Sequence, residues 1–287
     1  MSLLTIGRGP ASYNYYVLRG VLDETIIEEM QGVAAELPRQ GGGVYSHSSA
    51  NTMFAYLDRM PALVKKLPQL LDGIHCVGTN FFCSDPTDPK MDSHGEWHTG
   101  HSLYFGVGGV SMTMWIPLQD IDEKTGGRLK IYNGEHIAEI DDLLQCQVKK
   151  TGNSISNKHS LLQYLNHELE ADYQIEDMKV GDVLLFDEML PHQAEKCNIR
   201  REVMALRLIV GDYTLNKPLI QEVIDRYDTT PGEINHASEY LENLIQYNEY
   251  DLHDNRSPDD PPREAMPISV GRRAMLDRVL KRFIPGS

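Results

Sequence analysis

"GDVLLFDEMLPHQAEKCNIRREVMALRLIV" (residues 181–210) holds two β-type runs rich in branched and aromatic side chains, separated by a polar connection. His192 stands immediately after the first run, and Arg201 opens the second, nine positions later. The same texture recurs upstream in "IHCVGTNFFCS" (74–84), "VSMTMWIPLQDI" (110–121) and "GRLKIYNGEH" (127–136). Short β runs punctuated by Gly, Pro and Asp predict a two-sheet barrel or jelly roll rather than a parallel sheet alternating with helices.

Around this core, about residues 74–213, the pattern is mixed. "YNYYVLRGVL" (13–22) reads as a first strand ending near Gly20. "DETIIEEMQGVAAEL" (23–37) has an acidic start and helical apolar spacing, an amphipathic helix. "QGGGVYSHSSANT" (40–52) reads as a loop, and "MPALVKKLPQLLDG" (60–73) as a helical segment interrupted by Pro68 and closed by Gly73. "SLLQYLNHELEADYQIEDM" (160–178) reads as a helical excursion within a long loop. After Tyr213 the chain reads helical again, through "PLIQEVIDRY" and "ASEYLENLIQYNEY", with a Pro- and Asp-rich break before a basic terminal helix. The expectation is one domain over residues 1–287, mostly β with flanking helices and a helical extension over 214–287.

The 287 residues carry 42 acidic against 27 basic side chains, a formal charge of −15. That balance argues against nucleic-acid and anionic-membrane partners and for a small-molecule substrate. Cys76, Cys83, Cys146 and Cys197 match neither a zinc nor a disulfide spacing and are expected as buried thiols in a reducing, cytoplasmic setting. The stretch "MSLLTIGRGPASYNYY" lacks a basic start followed by a long apolar run, so no signal peptide is expected, nor is any run long enough to span a membrane.

The chemistry gathers at three points. His98 lies in "GEWHTGHS" (95–102), His192 comes 94 positions later, and Arg201 opens the next strand. Two imidazoles from different strands suit a redox metal, and a guanidinium fork suits a carboxylate.

"WHTG", "WIPLQDIDEKTGGRLKIYNGEH" and "GDVLLFDEMLPHQAEKCNIRRE" resemble blocks of the phytanoyl-CoA dioxygenase-like superfamily of iron(II)- and 2-oxoglutarate-dependent oxygenases. The resemblance covers roughly residues 12–213. It implies a cupin-like double-stranded β-helix, with His98 and His192 as iron ligands and Arg201 holding the distal carboxylate of 2-oxoglutarate. In that family a Trp-His-x-Asp motif supplies the third ligand, and here Gly100 stands in the carboxylate position. Losing the carboxylate removes one negative charge and opens a coordination position that a chloride ion can fill, and glycine leaves the room for it. His-x-Gly resembles the signature of the related non-haem iron halogenases. The resemblance thus implies a chloride-, dioxygen- and 2-oxoglutarate-dependent enzyme that chlorinates an unactivated carbon of a free amino acid, nucleotide or similar metabolite. Docking on an acidic carrier protein is disfavoured by the chain's own acidity.

Other readings stand beside it: a catalytically silent relative, a hydroxylase whose third ligand is Glu96, or a histidine-rich centre using His94 or His101. Arg207, six positions after Arg201 and inward in an unbroken strand, is assigned to oxoglutarate or a substrate carboxylate, or else to a buried ion pair. Thr113 is a candidate hydrogen-bond donor to oxoglutarate, or a core threonine. Trp97 is expected to orient the ligand after it, and His101 and Ser102 to face the substrate. Asp187 and Glu188 read as groups supporting His192 or as a solvated loop, and Gly126–Gly127 as a turn rather than a phosphate loop.

Overall fold

The computed structural model describes residues 4–8, 14–36, 44–47, 57, 59–70, 74–87, 96–99, 106–132, 166–188, 190–215 and 250–251. The strands are β1 (Leu4–Arg8), β2 (Asn14–Leu18), β3 (Val44–His47), β4 (Ile74–Ser84), β5 (Gly106–Pro117) and β6 (Leu129–Tyr132). They continue as β7 (Tyr173–Ile175), β8 (Val183–Asp187), β9 (His192–Ala194), β10 (Arg201–Leu215) and β11 (Tyr250–Asp251). Helices are α1 (Glu24–Glu36), α2 (Pro61–Leu70) and α3 (Asn166–Ala171).

All pairings are antiparallel. One sheet runs β1-β2-β8-β5-β10-β4-β11, with β3 also on β4, and a second runs β7-β6-β9. Between β4 and β10 the chain alternates between them: β5 in the large sheet, β6 and β7 in the small, β8 in the large, β9 in the small, β10 in the large.

Alternation along each strand sorts its side chains into two cores. Tyr16, Leu18, Met112, Met114, Ile116, Val183, Leu185, Met204, Leu206 and Leu208 pack with α1 and α2 on the outer face of the large sheet. Tyr15, Val17, Trp115, Leu184, Phe186 and Val203 point the other way, onto Leu129, Ile131 and Tyr132 of the small sheet. On β4, Cys76 and Phe81 share the outer face although five residues apart. A bulge resolves this: Arg207 pairs with Gly78 and Leu208 with Cys76, so Val77 is extra and the parity resets. Arg201 to Arg207 pair without interruption, which keeps both on the parity of Val203 and so on the face toward the small sheet.

The helices that cover the outer face are capped by side chains. Asp23 accepts from the Ile26 amide at 3.1 Å at the start of α1. At α2, Pro61 occupies the first turn, where a missing N–H costs nothing, and the Glu29 carboxylate of α1 accepts from the amides of Ala62 and Leu63. The helix then runs through Pro68 instead of breaking there, because Leu63, Leu67 and Leu70 are buried on one stripe.

Four further segments differ from the sequence reading. Val44–His47, expected as loop, pairs with β4, and Leu4–Arg8 adds an edge strand before the expected first one. Residues 173–175 of the expected helical excursion form β7, Asn166–Ala171 is helical, and residues 160–165 lie outside the described residues. Tyr250, expected in a helix, pairs with Cys76 as part of β11; the rest of the C-terminal extension lies outside the described residues. Cys76, Cys83 and Cys197 are buried thiols outside any disulfide, as expected, and Cys146 lies outside the described residues. Among the described residues no helix is long and apolar enough to cross a membrane.

Gly126 and Gly127 do form a turn, with φ of +67° and +76°, stitched to the 196–198 segment by Gly127 N–H to Lys196 O and Asn198 N–H to Thr125 O. A Cβ on Gly126 would lie 2.5 Å from the backbone oxygen of Lys196. Gly126→Ala therefore combines a left-handed φ with a backbone collision and is expected to cost about 2–3 kcal/mol. Urea denaturation of the variant checks this, and an unchanged midpoint would contradict it.

Candidate metal and cosubstrate site

His98 and His192 face each other as a β-bridge: the His98 amide donates to His192 O at 3.0 Å, and the His192 amide to His98 O at 2.8 Å. This rung extends the small sheet beyond β9 and sets the two imidazole centroids 4.2 Å apart. Each Nδ1 lies against the carbonyl two residues upstream, Glu96 O at 2.7 Å for His98 and Leu190 O at 2.8 Å for His192. A carbonyl oxygen only accepts, so both Nδ1 atoms carry a proton, and in the neutral imidazole it is Nε2 that keeps the lone pair a metal needs. A backbone carbonyl behind a ligating imidazole is also what fixes its ring orientation.

His98 is held from behind through its neighbour. Trp97 is 1% exposed, and its indole N–H donates to Glu170 of α3 at 2.9 Å. Lys130 of β6 binds the other oxygen of that carboxylate at 2.7 Å and lies over the Tyr173 ring, which itself packs against Trp97. On the other side, the Phe186 ring meets His192 edge-on, with centroids 4.8 Å apart. Asp187 and Glu188, one reading of which was a solvated loop, are fully buried.

Arg201 is 6% exposed. Its Nη1 donates to Gly127 O at 2.8 Å and its Nη2 to Ser84 Oγ at 3.3 Å, while Nε has no partner. Burial pushes its pKa down, and the nearby thiols of Cys197 and Cys83 oppose that push. Among the described residues no carboxylate pairs with it. The second glycine of the turn makes its place: a Cβ on Gly127 would lie 2.7 Å from Arg201 Cδ and 2.8 Å from Cys197 Sγ.

Arg207 has the opposite surroundings. Its Nη1 pairs with Glu188 Oε1 at 3.2 Å, in an ion pair whose carboxylate is 0% and whose guanidinium is 24% exposed. Ser111 Oγ donates to Glu188 Oε2 at 2.8 Å and Thr113 Oγ1 to Oε1 at 3.4 Å. Thr113 and Arg207 thus meet on one carboxylate. The sequence held the clue to Glu188: Leu184, Phe186 and Glu188 alternate onto the same face as β8 runs out.

Gly100, His94, His101 and Ser102 lie outside the described residues. The Glu96 side chain is exposed, and among the described residues no three His, Cys, Asp or Glu side chains gather as a metal site.

No family model matches the chain, and no curated protein matches it. Solved structures do. The epimerase SnoN in complex with Fe3+, alpha ketoglutarate and nogalamycin RO aligns over 90% of this chain and 92% of its own, at TM-score 0.53 and 16% identity. The chain shares the fold of SnoN. A second SnoN structure, described as a non-heme alpha ketoglutarate dependent epimerase from nogalamycin biosynthesis, covers 70% of this chain and 80% of its own at TM-score 0.50 and 16% identity. HygX from Streptomyces hygroscopicus with nickel and 2-oxoglutarate bound covers 69% of this chain and 84% of its own, at TM-score 0.45 and 17% identity.

A buried guanidinium with no carboxylate partner among the described residues carries a desolvation cost. Arg201→Met removes the charge and fills the space with apolar atoms. In the absence of any dicarboxylate it is expected to be at least as stable as wild type, by up to about 1–3 kcal/mol in urea. A loss of about 3 kcal/mol would show that the bonds to Gly127 and Ser84 outweigh the burial cost.

Proposed function

We propose that this chain is an iron(II)- and 2-oxoglutarate-dependent halogenase that chlorinates an unactivated carbon of a small metabolite. The observation that carries the reading is the His98–His192 bridge, which brings two imidazoles from distant parts of the chain to a centroid distance of 4.2 Å with each Nδ1 turned to a backbone carbonyl, His98 standing two positions before Gly100 in the sequence. The alternation of the chain between two sheets supports reading the fold as a double-stranded β-helix, and the shared fold with SnoN, itself solved with Fe3+ and alpha ketoglutarate, supports the same class.

The donor set fits the group. His98 and His192 would hold iron(II) through Nε2, and Arg201, whose buried Nε lacks an acceptor, would bind the far carboxylate of 2-oxoglutarate. Bound together with dioxygen, this group supplies the oxidising power to cleave an unactivated C–H bond. Two neutral imidazoles leave the charge of the metal uncompensated, and a 2-His-1-carboxylate site would meet it with an acid. Gly100 stands where that acid is expected and offers no side chain, which leaves the position to chloride. The protein's own tasks are then to fix the imidazole tautomers, to neutralise oxoglutarate with Arg201, and to leave the halide position unfilled. Chlorine transferred to carbon in place of hydroxyl separates this reading from a hydroxylase of the same fold.

Replacing both histidines by alanine is expected to abolish iron-dependent oxoglutarate consumption and iron binding together. Retained tight iron binding would move the ligands elsewhere. The deciding experiment incubates the iron-loaded protein with oxoglutarate and a panel of free amino acids and nucleotides, in chloride and in chloride-free buffer, and reads product mass. Wild type is expected to give a product with the chlorine isotope pattern only where chloride is present, and Gly100→Asp to lose it while retaining some oxoglutarate turnover. A product gaining only oxygen in both buffers would return the assignment to a hydroxylase.

A further inference from the structure

The inner face of β10 carries two arginines, and their surroundings divide the work between them. Arg201 and Arg207 are six residues apart in unbroken pairing, about 20 Å along an extended strand. That is longer than a five-carbon dicarboxylate, so the far carboxylate of oxoglutarate occupies only one of them. Arg201 is buried with no carboxylate partner among the described residues, and it has the greater need of an anion.

Arg207 lies on a different row. It pairs across β5 with Thr113, Thr113 pairs across β8 with Phe186, and the Phe186 ring touches His192. The row therefore runs from the guanidinium to the histidine pair. Glu188 follows Phe186 on the same face and holds Arg207 through Nη1, while Asn80, with its amide turned, accepts from Nε at 3.3 Å. These contacts fix the guanidinium plane, and among the described residues its Nη2 donors meet no acceptor, on a side chain that is still 24% exposed. Glu188 is in turn fixed by Ser111 and Thr113. An arginine locked by its own carboxylate, with one edge unpartnered among the described residues and its row leading to the candidate ligands, is a prepared receptor for a planar anion.

Resting on the iron and oxoglutarate reading above, we propose that Arg207 binds a carboxylate of the substrate, with Glu188 as its positioning residue, so that the substrate is a small carboxylic acid. Thr113 then serves the substrate side through Glu188 instead of touching oxoglutarate.

The test uses full-length, iron-loaded protein with saturating oxoglutarate. The probes are free amino acids, each compared with its own carboxamide, and the readout is substrate-stimulated oxoglutarate consumption. At least one acid is expected to stimulate consumption tenfold or more over its amide. Arg207→Lys keeps a charge but loses the planar fork, and is expected to weaken that preference at least tenfold through the KM for the acid. Arg207→Gln alone would strand the buried Glu188 charge. The double variant Arg207→Gln with Glu188→Gln leaves no unpaired charge and is expected to erase the preference. Arg201→Ala is expected to raise the oxoglutarate requirement instead. Consumption that no acid stimulates beyond its amide overturns the proposal alone, as does an Arg207→Lys variant that raises the oxoglutarate requirement and keeps the acid preference. No iron-dependent consumption by wild type overturns the functional reading, and this proposal with it.

Discussion

Two backbone hydrogen bonds between His98 and His192 hold the site together. They tie a short segment with little regular structure of its own to the first residue of β9, and everything placed around the imidazoles depends on that rung. Because the bridge fixes both backbones, each ring can reach the carbonyl two residues behind it, and the two tautomers are set by the same geometry. A pair made this way needs no third side chain for its orientation. The Trp97–Glu170–Lys130 contacts brace the His98 segment from behind. Under the proposed function, such a bridge would keep the two imidazoles aligned while a halide took the third position.

Electrostatics gives the rest of the inner face its polarity. Burying a cation is costly unless it is paired, and the two inner arginines meet that cost differently. Arg207 is paired within the protein, whereas Arg201 has only a carbonyl and a hydroxyl among the described residues. Under the proposed function a dianionic cosubstrate would supply the carboxylate partner, and burial would strengthen that pairing. Gly127 contributes by subtraction, since any side chain there would fill the space of the Arg201 stem.

Much of this was legible in the sequence where one periodicity dominated. Strands β4, β5 and β10 were visible because both cores draw on alternate positions of long β-branched runs. The order of His98, His192 and Arg201 singles them out in the sequence, and the structure pairs the two histidines and buries the arginine on the face toward the small sheet. The misses have physical causes. Val44–His47 carries glycine and serine flanks that read as loop, and only the edge of β4 makes it a strand. Pro68 reads as a break, yet three buried leucines keep the helix intact around it. Tyr173–Ile175 follows a helical pattern and turns to strand only because β6 needs a neighbour. Alternation along β8 places Glu188 with Leu184 and Phe186, yet the sequence leaves it open between a group supporting His192 and a solvated loop, because its partners Ser111 and Arg207 lie 77 and 19 residues away.

The central claim is a two-histidine iron centre whose third protein ligand is replaced by a halide. X-ray absorption at the iron edge tests it without knowledge of the substrate. Anaerobic protein with iron(II) and 2-oxoglutarate is measured in chloride and again in bromide. The account predicts a first coordination shell with nitrogen and oxygen scatterers plus one halide, which becomes a heavier scatterer at longer distance when bromide replaces chloride. A shell of nitrogen and oxygen alone, identical in both salts, would contradict it.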